Sequence, residues 1–206
     1  EKSDKKLPEA VHYLSEGKNN LHRGNYDAAI SQLTSAYENL PILADYALFW
    51  RAKAYENKGD TDKAISDLRA IKERFKDSPL IKNVRIKEIE IAKKKNCPDL
   101  IRLFKDFVKD YPLEFSIKYA YALALKENNE TEKAKKIFKE IFISVSPFSK
   151  NAFHELSPSD ITVEDLVKRG ENLNKAWLFK EAEESLRDAL QKDSGQLRHD
   201  ILEKLA

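Results

Sequence analysis

The chain has 206 residues, 41% hydrophobic and 35% charged, and its 37 Lys and Arg against 35 Asp and Glu give a formal net charge of +2. Five glycines and seven prolines are too few turn residues for a sandwich or barrel of many short strands, which excludes an all-β fold. No run approaches the roughly 18 apolar residues of a membrane span, the balanced charge argues against a dedicated nucleic-acid binder, and a lone cysteine, Cys97, cannot form an internal disulfide.

In chain order, residues 1–7 read as an N-terminal tail, and Glu1–Lys6 lacks the apolar core of a signal peptide. Amphipathic helices then follow in pairs. The first spans about 8–40 with a break at Gly24-Asn25, and the second about 43–76 with a break at Gly59-Asp60. The third, about 80–111, keeps helical periodicity through Val84, Ile91, Phe104 and Phe107 and turns at Asn96-Cys97-Pro98-Asp99. The fourth covers about 113–145 with a break at Asn128-Asn129. An insertion of about 146–161 includes the turn-forming Ser157-Pro158-Ser159-Asp160, and should hold a short helix of its own. The fifth pair covers about 163–192 around a degenerate break, Lys175-Ala176-Trp177, and Leu197, Ile201, Leu202 and Leu205 open half a sixth over 195–206.

Small residues tie these pairs together. Gly17 precedes Ala29, Ala52 precedes Ala64, Ala122 precedes Ala134 and Gly170 precedes Ala182, each by 12 residues. A large apolar residue follows one helical turn later, at Leu33, Leu68, Phe138 and Leu186. Two antiparallel helices on a short loop can approach closely only where both present Gly or Ala at the crossing, so Gly17 is expected against Ala29 and Ala52 against Ala64. The third pair has lost this signature. Pro41, Pro79, Pro112 and Pro147 punctuate the helix ends at spacings of 38, 33 and 35. A period near 34 with these small residues is that of the tetratricopeptide repeat. The expected fold is all-α, a single α-solenoid domain over 8–206. The unfinished sixth pair supplies no separate polar cap, which favours continuation past Ala206 over a final helix acting as the cap.

Chemistry is sparse by comparison. His12, His22, His154 and His199 are far apart and form no metal-binding spacing, and no phosphate-cradling glycine loop or nucleophile elbow occurs. Cys97 lies in a turn without a partner cysteine. The carboxylates read as solvated helix faces with pairs such as Glu132 and Lys136. No catalytic, cofactor-binding or metal-binding residue is assigned, and no cofactor is expected. Two features invite a ligand: the basic run Lys93-Lys94-Lys95 with Lys82, Arg85 and Lys87 as a polyanion patch, and Trp50 and Trp177 as stacking platforms. Solvated charge and inter-repeat packing are the expected roles of both.

The segment Leu43-Ala44-Asp45-Tyr46-Ala47-Leu48-Phe49-Trp50-Arg51-Ala52, followed by Gly59-Asp60 and Ala64-Ile65, resembles the helical N-terminal region of soluble lytic murein transglycosylases. Leu156-Ser157-Pro158 with Leu166, Arg169, Glu171, Leu173 and Glu181-Ala182 resembles the way those enzymes resume their repeats after an interruption. The resemblance implies a periplasmic scaffold for a lysozyme-like catalytic domain further along the chain. That domain would cleave peptidoglycan without water, leaving a 1,6-anhydro product, through a single glutamate. The family's Glu-Ser-x-Phe stretch is approached only by Glu184-Ser185-Leu186-Arg187, with Arg where Phe belongs, so no catalytic residue carries over. The implied partners are a glycan strand and the C-terminal catalytic domain. The rival reading is a free-standing tetratricopeptide adaptor that binds a protein or peptide, and a third is a periplasmic assembly subunit built of similar repeats.

Overall fold

The computed structural model describes residues 6–205, and all regular structure among them is helical. Residues 1–5 of the expected tail, like Ala206, lie outside the described residues, and the first helix already begins at Lys6. The helices are α1 (Lys6–His22), α2 (Tyr26–Asn39), α3 (Ala44–Lys58), α4 (Thr61–Arg74), α5 (Ile81–Lys94) and α6 (Leu100–Asp110). They continue with α7 (Phe115–Glu127), α8 (Thr131–Ile143), α9 (Ser149–His154), α10 (Val163–Lys175), α11 (Phe179–Lys192) and α12 (Arg198–Leu205). The chain divides into two compact units, Glu1–Leu103 and Phe104–Ala206. Each contains helix pairs of the tetratricopeptide kind.

One device makes every intra-pair turn. Gly24, Gly59, Asn96, Asn129 and Trp177 all have positive φ, between 49° and 94°. The next residue's N–H reaches back to the carbonyl five residues earlier, as in Asp60 to Tyr55 at 2.8 Å and Leu178 to Leu173 at 3.0 Å. This is the Schellman closure, which satisfies a carbonyl that the helix end would leave unpaired. Glycine and asparagine take this conformation at little cost. Trp177 does not, and its side chain is 80% exposed, so no burial offsets the backbone strain. Trp177→Gly is therefore expected to raise the unfolding free energy by about 1 kcal/mol, read as a higher urea midpoint at unchanged slope.

Counting seven residues back and five on from each left-handed residue recovers the small pairs Gly17 and Ala29, Ala52 and Ala64, Ala122 and Ala134, and Gly170 and Ala182. All eight are buried. The same count from Asn96 yields Ile89 and Ile101, so branched side chains replace the small crossing in the third pair. At the first crossing the closest neighbour of Gly17 is Leu33 rather than Ala29. A Cβ built on Gly17 would lie 2.5 Å from Leu33 Cγ and 3.2 Å from the Leu33 backbone nitrogen. Gly170 repeats the arrangement against Leu186 Cγ at 2.7 Å. The contact falls one helical turn beyond the alanine because side chains lean back toward the helix N-terminus, which carries the leucine over the crossing.

Between α8 and α10 the chain folds α9 and a 3₁₀ turn, Pro158–Asp160. Ser149 is buried and donates to the Ser144 carbonyl at 2.7 Å, and Ala152 and Ile161 are buried as well. Two lysines of α8 hold the exit: Lys135 pairs with Asp160 at 2.9 Å and Lys139 with Asp165 at 2.8 Å. Asp160 and Asp165 each also accept from a backbone N–H, of Ser157 and Thr162, completing capping boxes. Lys135, followed by the Ser157 backbone, holds the Asp160 carboxyl below its ordinary range. At Asp165 burial pushes upward, but Lys139 and the Thr162 N–H outweigh it and the net shift is downward. A carboxylate with a depressed folded-state pKa contributes stability that is complete above its unfolded value and is lost as pH falls through the folded one. Unfolding free energy should accordingly stay level from about pH 7 to 5 and drop below about pH 4, and a Lys135→Ala, Lys139→Ala variant should show a shallower acid decline.

Candidate functional site

In the first unit, α1, α3 and α5 are the leading helices of their pairs, and their side chains build one continuous cation–aromatic strip. Trp50 of α3 is half-buried and packs against two apolar clusters, one containing Leu48, Leu68 and Ile71 and the other Leu21, Leu33 and Ala54. Phe49 meets its ring edge-on at a centroid distance of 5.8 Å, and His22 does so at 6.1 Å. Lys18 Nζ, from α1, stands 4.9 Å from the Trp50 ring centroid, and Lys53 Nζ lies 4.7 Å from the same ring and 5.0 Å from that of Phe49. Two ammonium groups thus share one indole ring, each within the range where the ring quadrupole attracts a cation.

The strip continues onto α5 through Glu56, which accepts from Lys94 Nζ at 2.5 Å and pairs with Lys87 Nζ at 3.2 Å. Lys87 also bonds Glu90. Burial opposes ionisation of Glu56, but its bonds to Lys94 and Lys87 prevail and lower its pKa. Burial likewise disfavours the Lys87 charge, but Glu90 and Glu56 raise its pKa in spite of it. Lys53 differs. Burial, and after it the charge of Lys87, hold its ammonium below the usual lysine value, and no carboxylate among the described residues bonds to it. Among the described residues, the carboxylates that bond or act on Lys53, Lys87 and Lys94 are those of Glu56 and Glu90, two negative charges against these three lysines and Lys18.

The basic run is not a free polyanion patch. Lys94 is committed to Glu56 and Lys87 to Glu56 and Glu90, while Lys95 pairs with Asp62 at 2.9 Å. Trp50 has the expected packing role. Trp177 does not, being exposed beside Leu178 and Phe179 at a turn tip. His12, His22, His154 and His199 are all exposed. Cys97 lines a cavity of about 430 Å³ in the first unit with Ile65, Ile91, Ala92 and Leu103. Glu132 pairs with Lys135 at 3.5 Å rather than with Lys136. In the near-motif Glu184-Ser185-Leu186-Arg187, Ser185 is buried and donates to the Leu166 carbonyl at 2.8 Å, and Leu186 is a core residue. Packing occupies the string fully.

Arg51 and Asp67, which sequence reasoning does not pair, are joined by the fold in a buried ion pair. Arg51 Nε and Nη2 each donate to Asp67 at 2.8 Å, a bidentate fork, while Nη1 donates to Thr34 Oγ1 at 3.0 Å. The rings of Tyr37 and Tyr55 flank the guanidinium at 5.4 and 6.0 Å. Burial disfavours the Arg51 charge, but Asp67 reverses the balance and raises its pKa. With the fork closed on Asp67 and a further donor on Thr34, the pair is structural.

Residues 46–78, which comprise most of α3, all of α4 and the turn after it, match the tetratricopeptide repeat family. Over nearly the whole chain the fold is similar to that of MamA AMB-1, at 17% identity and a TM-score of 0.51, covering 94% of this chain and 97% of that one. A tetratricopeptide repeat protein from Parabacteroides merdae ATCC 43184 is 16% identical over 99% of this chain and 78% of its own, with a TM-score of 0.47. A thermophilic repeat protein of Thermus thermophilus is 17% identical over 95% and 98%, with a TM-score of 0.42. No curated protein matches by sequence. The chain is a tetratricopeptide-like helical repeat protein, and its fold class is an α-solenoid of helix pairs.

Proposed function

We propose that this protein is a protein-interaction adaptor whose first unit binds an acidic peptide segment along the strip of α1, α3 and α5. Repeats of this kind offer extended surfaces for polypeptides. The observation that carries the reading is Lys53, a half-buried ammonium poised with Lys18 over Trp50 and bonded to no carboxylate among the described residues, with Glu90 and Glu56 acting on it only through space. An incoming Asp or Glu side chain would supply the missing charge and relieve the repulsion from Lys87.

A periplasmic scaffold for a peptidoglycan-cleaving domain is the weaker reading. It rests on residues that packing already explains: Ala44, Ala47, Leu48, Phe49 and Ala52 are core residues, Arg51 is committed to Asp67, and Asp45 accepts from Ser78 Oγ at 2.5 Å. Neither the matched family nor the similar structures named above indicates such a parent.

The test is titration with fluorescein-labelled peptides of equal length, one rich in Glu and one in Gln. The Glu peptide should bind with affinity that falls as salt rises, and Lys18→Ala with Lys53→Ala should weaken it about tenfold while leaving the melting curve in place. Equal affinity for both peptides, or no loss in the double variant, would refute the reading.

A further inference from the structure

The fifth pair repeats the second at its arginine but lacks the carboxylate that faces it. Arg51 and Arg169 each stand one residue before the small residue of their crossing, Ala52 and Gly170. Three residues after the second small residue stand Asp67 and Ser185, and both are buried. In the second pair this brings guanidinium and carboxylate together as a bidentate fork. In the fifth pair the carboxylate is missing, and Ser185 satisfies itself on the Leu166 carbonyl.

Arg169 has found only a partial substitute. It donates to the Phe142 carbonyl and lies over the Phe142 ring, 4.6 Å from its centroid. Burial holds its pKa below the ordinary arginine value, and no carboxylate among the described residues offsets that shift. A guanidinium has five donors in a planar fork and is not deprotonated in proteins, so most of its bonding capacity is left over and its charge meets a carbonyl and a ring face but no carboxylate among the described residues. Arg169 is itself half-buried, and the aromatic side chains packed next to it reach the surface. Phe142 contacts Phe153 at 5.5 Å, Phe153 is 48% exposed, and His154 meets Phe153 edge-on at 6.0 Å. Asn172, also of α10, donates to the Ile143 carbonyl at 3.0 Å and helps fix α10 against the end of α8. The result is a fixed cation at the foot of an aromatic ledge.

We infer that Arg169 is the anchor of a second peptide-binding site, which takes the carboxylate of an Asp or Glu side chain from a partner polypeptide and seats a neighbouring apolar residue on Phe153. The internal counterpart identifies the chemistry: what completes an arginine at this repeat position is a carboxylate held by two parallel N–H bonds. The inference rests on the adaptor reading only in taking a polypeptide as the source of that carboxylate, since the two sites share no residue.

The experiment uses the Lys18→Ala, Lys53→Ala protein, in which binding to the strip of the first unit is weakened about tenfold. Fluorescence anisotropy is followed with a labelled peptide of alternating Glu and Phe, with its Gln-Phe counterpart, and with inorganic phosphate as competitor. The Glu-Phe peptide should bind and the Gln-Phe peptide should bind more weakly. Arg169→Gln should reduce Glu-Phe affinity about tenfold or more, and Arg169→Lys, which keeps charge but loses the fork, should fall between. Ser185→Asp, which restores the internal carboxylate of the second pair, should weaken binding as Arg169→Gln does, with helical circular dichroism showing that each variant is folded. Glu-Phe affinity unchanged by Arg169→Gln would overturn the inference, as would phosphate displacing the peptide at micromolar levels, which would make the site a phosphate site. Absence of residual Glu-Phe binding in this background would overturn it too, while leaving the strip of the first unit standing.

Discussion

Asp67→Ala should unfold the protein more readily than any other single charge removal, by about 3–5 kcal/mol, because it leaves the Arg51 guanidinium buried without its counter-charge. Side-chain exposures of 14% for Arg51 and 9% for Asp67 exclude the solvent rescue available to surface pairs. Thr34 and the two tyrosine rings would remain, but none carries a compensating charge. Replacing both partners by apolar residues of similar volume, Arg51→Met with Asp67→Leu, should restore most of the loss, since the desolvation of both ions is then removed together. Chemical denaturation of the two variants checks both halves. A cost below about 1 kcal/mol for Asp67→Ala would mean that the pair behaves as an exposed one.

Leu33→Ala should cost about 2–5 kcal/mol, as expected for truncating a fully buried leucine. Gly17→Ala should also destabilise. Alanine improves helix propensity by about 1 kcal/mol, but the new Cβ would overlap Leu33 Cγ and press on the Leu33 backbone, at a cost of about 1–3 kcal/mol. Combined, the two changes should cost less than their sum, because the methyl group that replaces the glycine hydrogen would occupy space that the leucine vacates. Urea denaturation of the three variants gives the coupling energy directly. Strict additivity would show that Gly17 and Leu33 do not share the crossing.

The turns were legible because their chemistry is local. Gly24, Gly59 and Asn129 are residues that tolerate a positive φ, and the helix-turn-helix repetition shows in them and in the spacing of 12 between small residues. Trp177 occupies the same turn position against every local preference, so only its counterparts in the other pairs reveal it. The basic run shows the converse: as a string it reads as a charged patch, yet carboxylates of α3, α4 and α5 neutralise much of it.

Composition, period and small-residue spacing by themselves determined that the chain is all-α and built of tetratricopeptide-like helix pairs, because helix formation and close helix crossing depend on residues a few turns apart. Tertiary structure decided which charges are neutralised and which are left for a partner. Arg51 and Arg169 occupy equivalent repeat positions and Trp50 and Trp177 are alike in type, and the Asp67 and Ser185 that part the two arginines gain meaning only once the Arg51–Asp67 fork is seen. Burial and counter-charge come from side chains 16 or more positions away, on other helices, and the two members of each pair meet different neighbours there. Desolvation and the pairing of charges between helices leave little trace in a sequence in which 35% of the residues are charged, so Lys53 and Arg169, bonded to no carboxylate among the described residues, stand out only once the helices are packed.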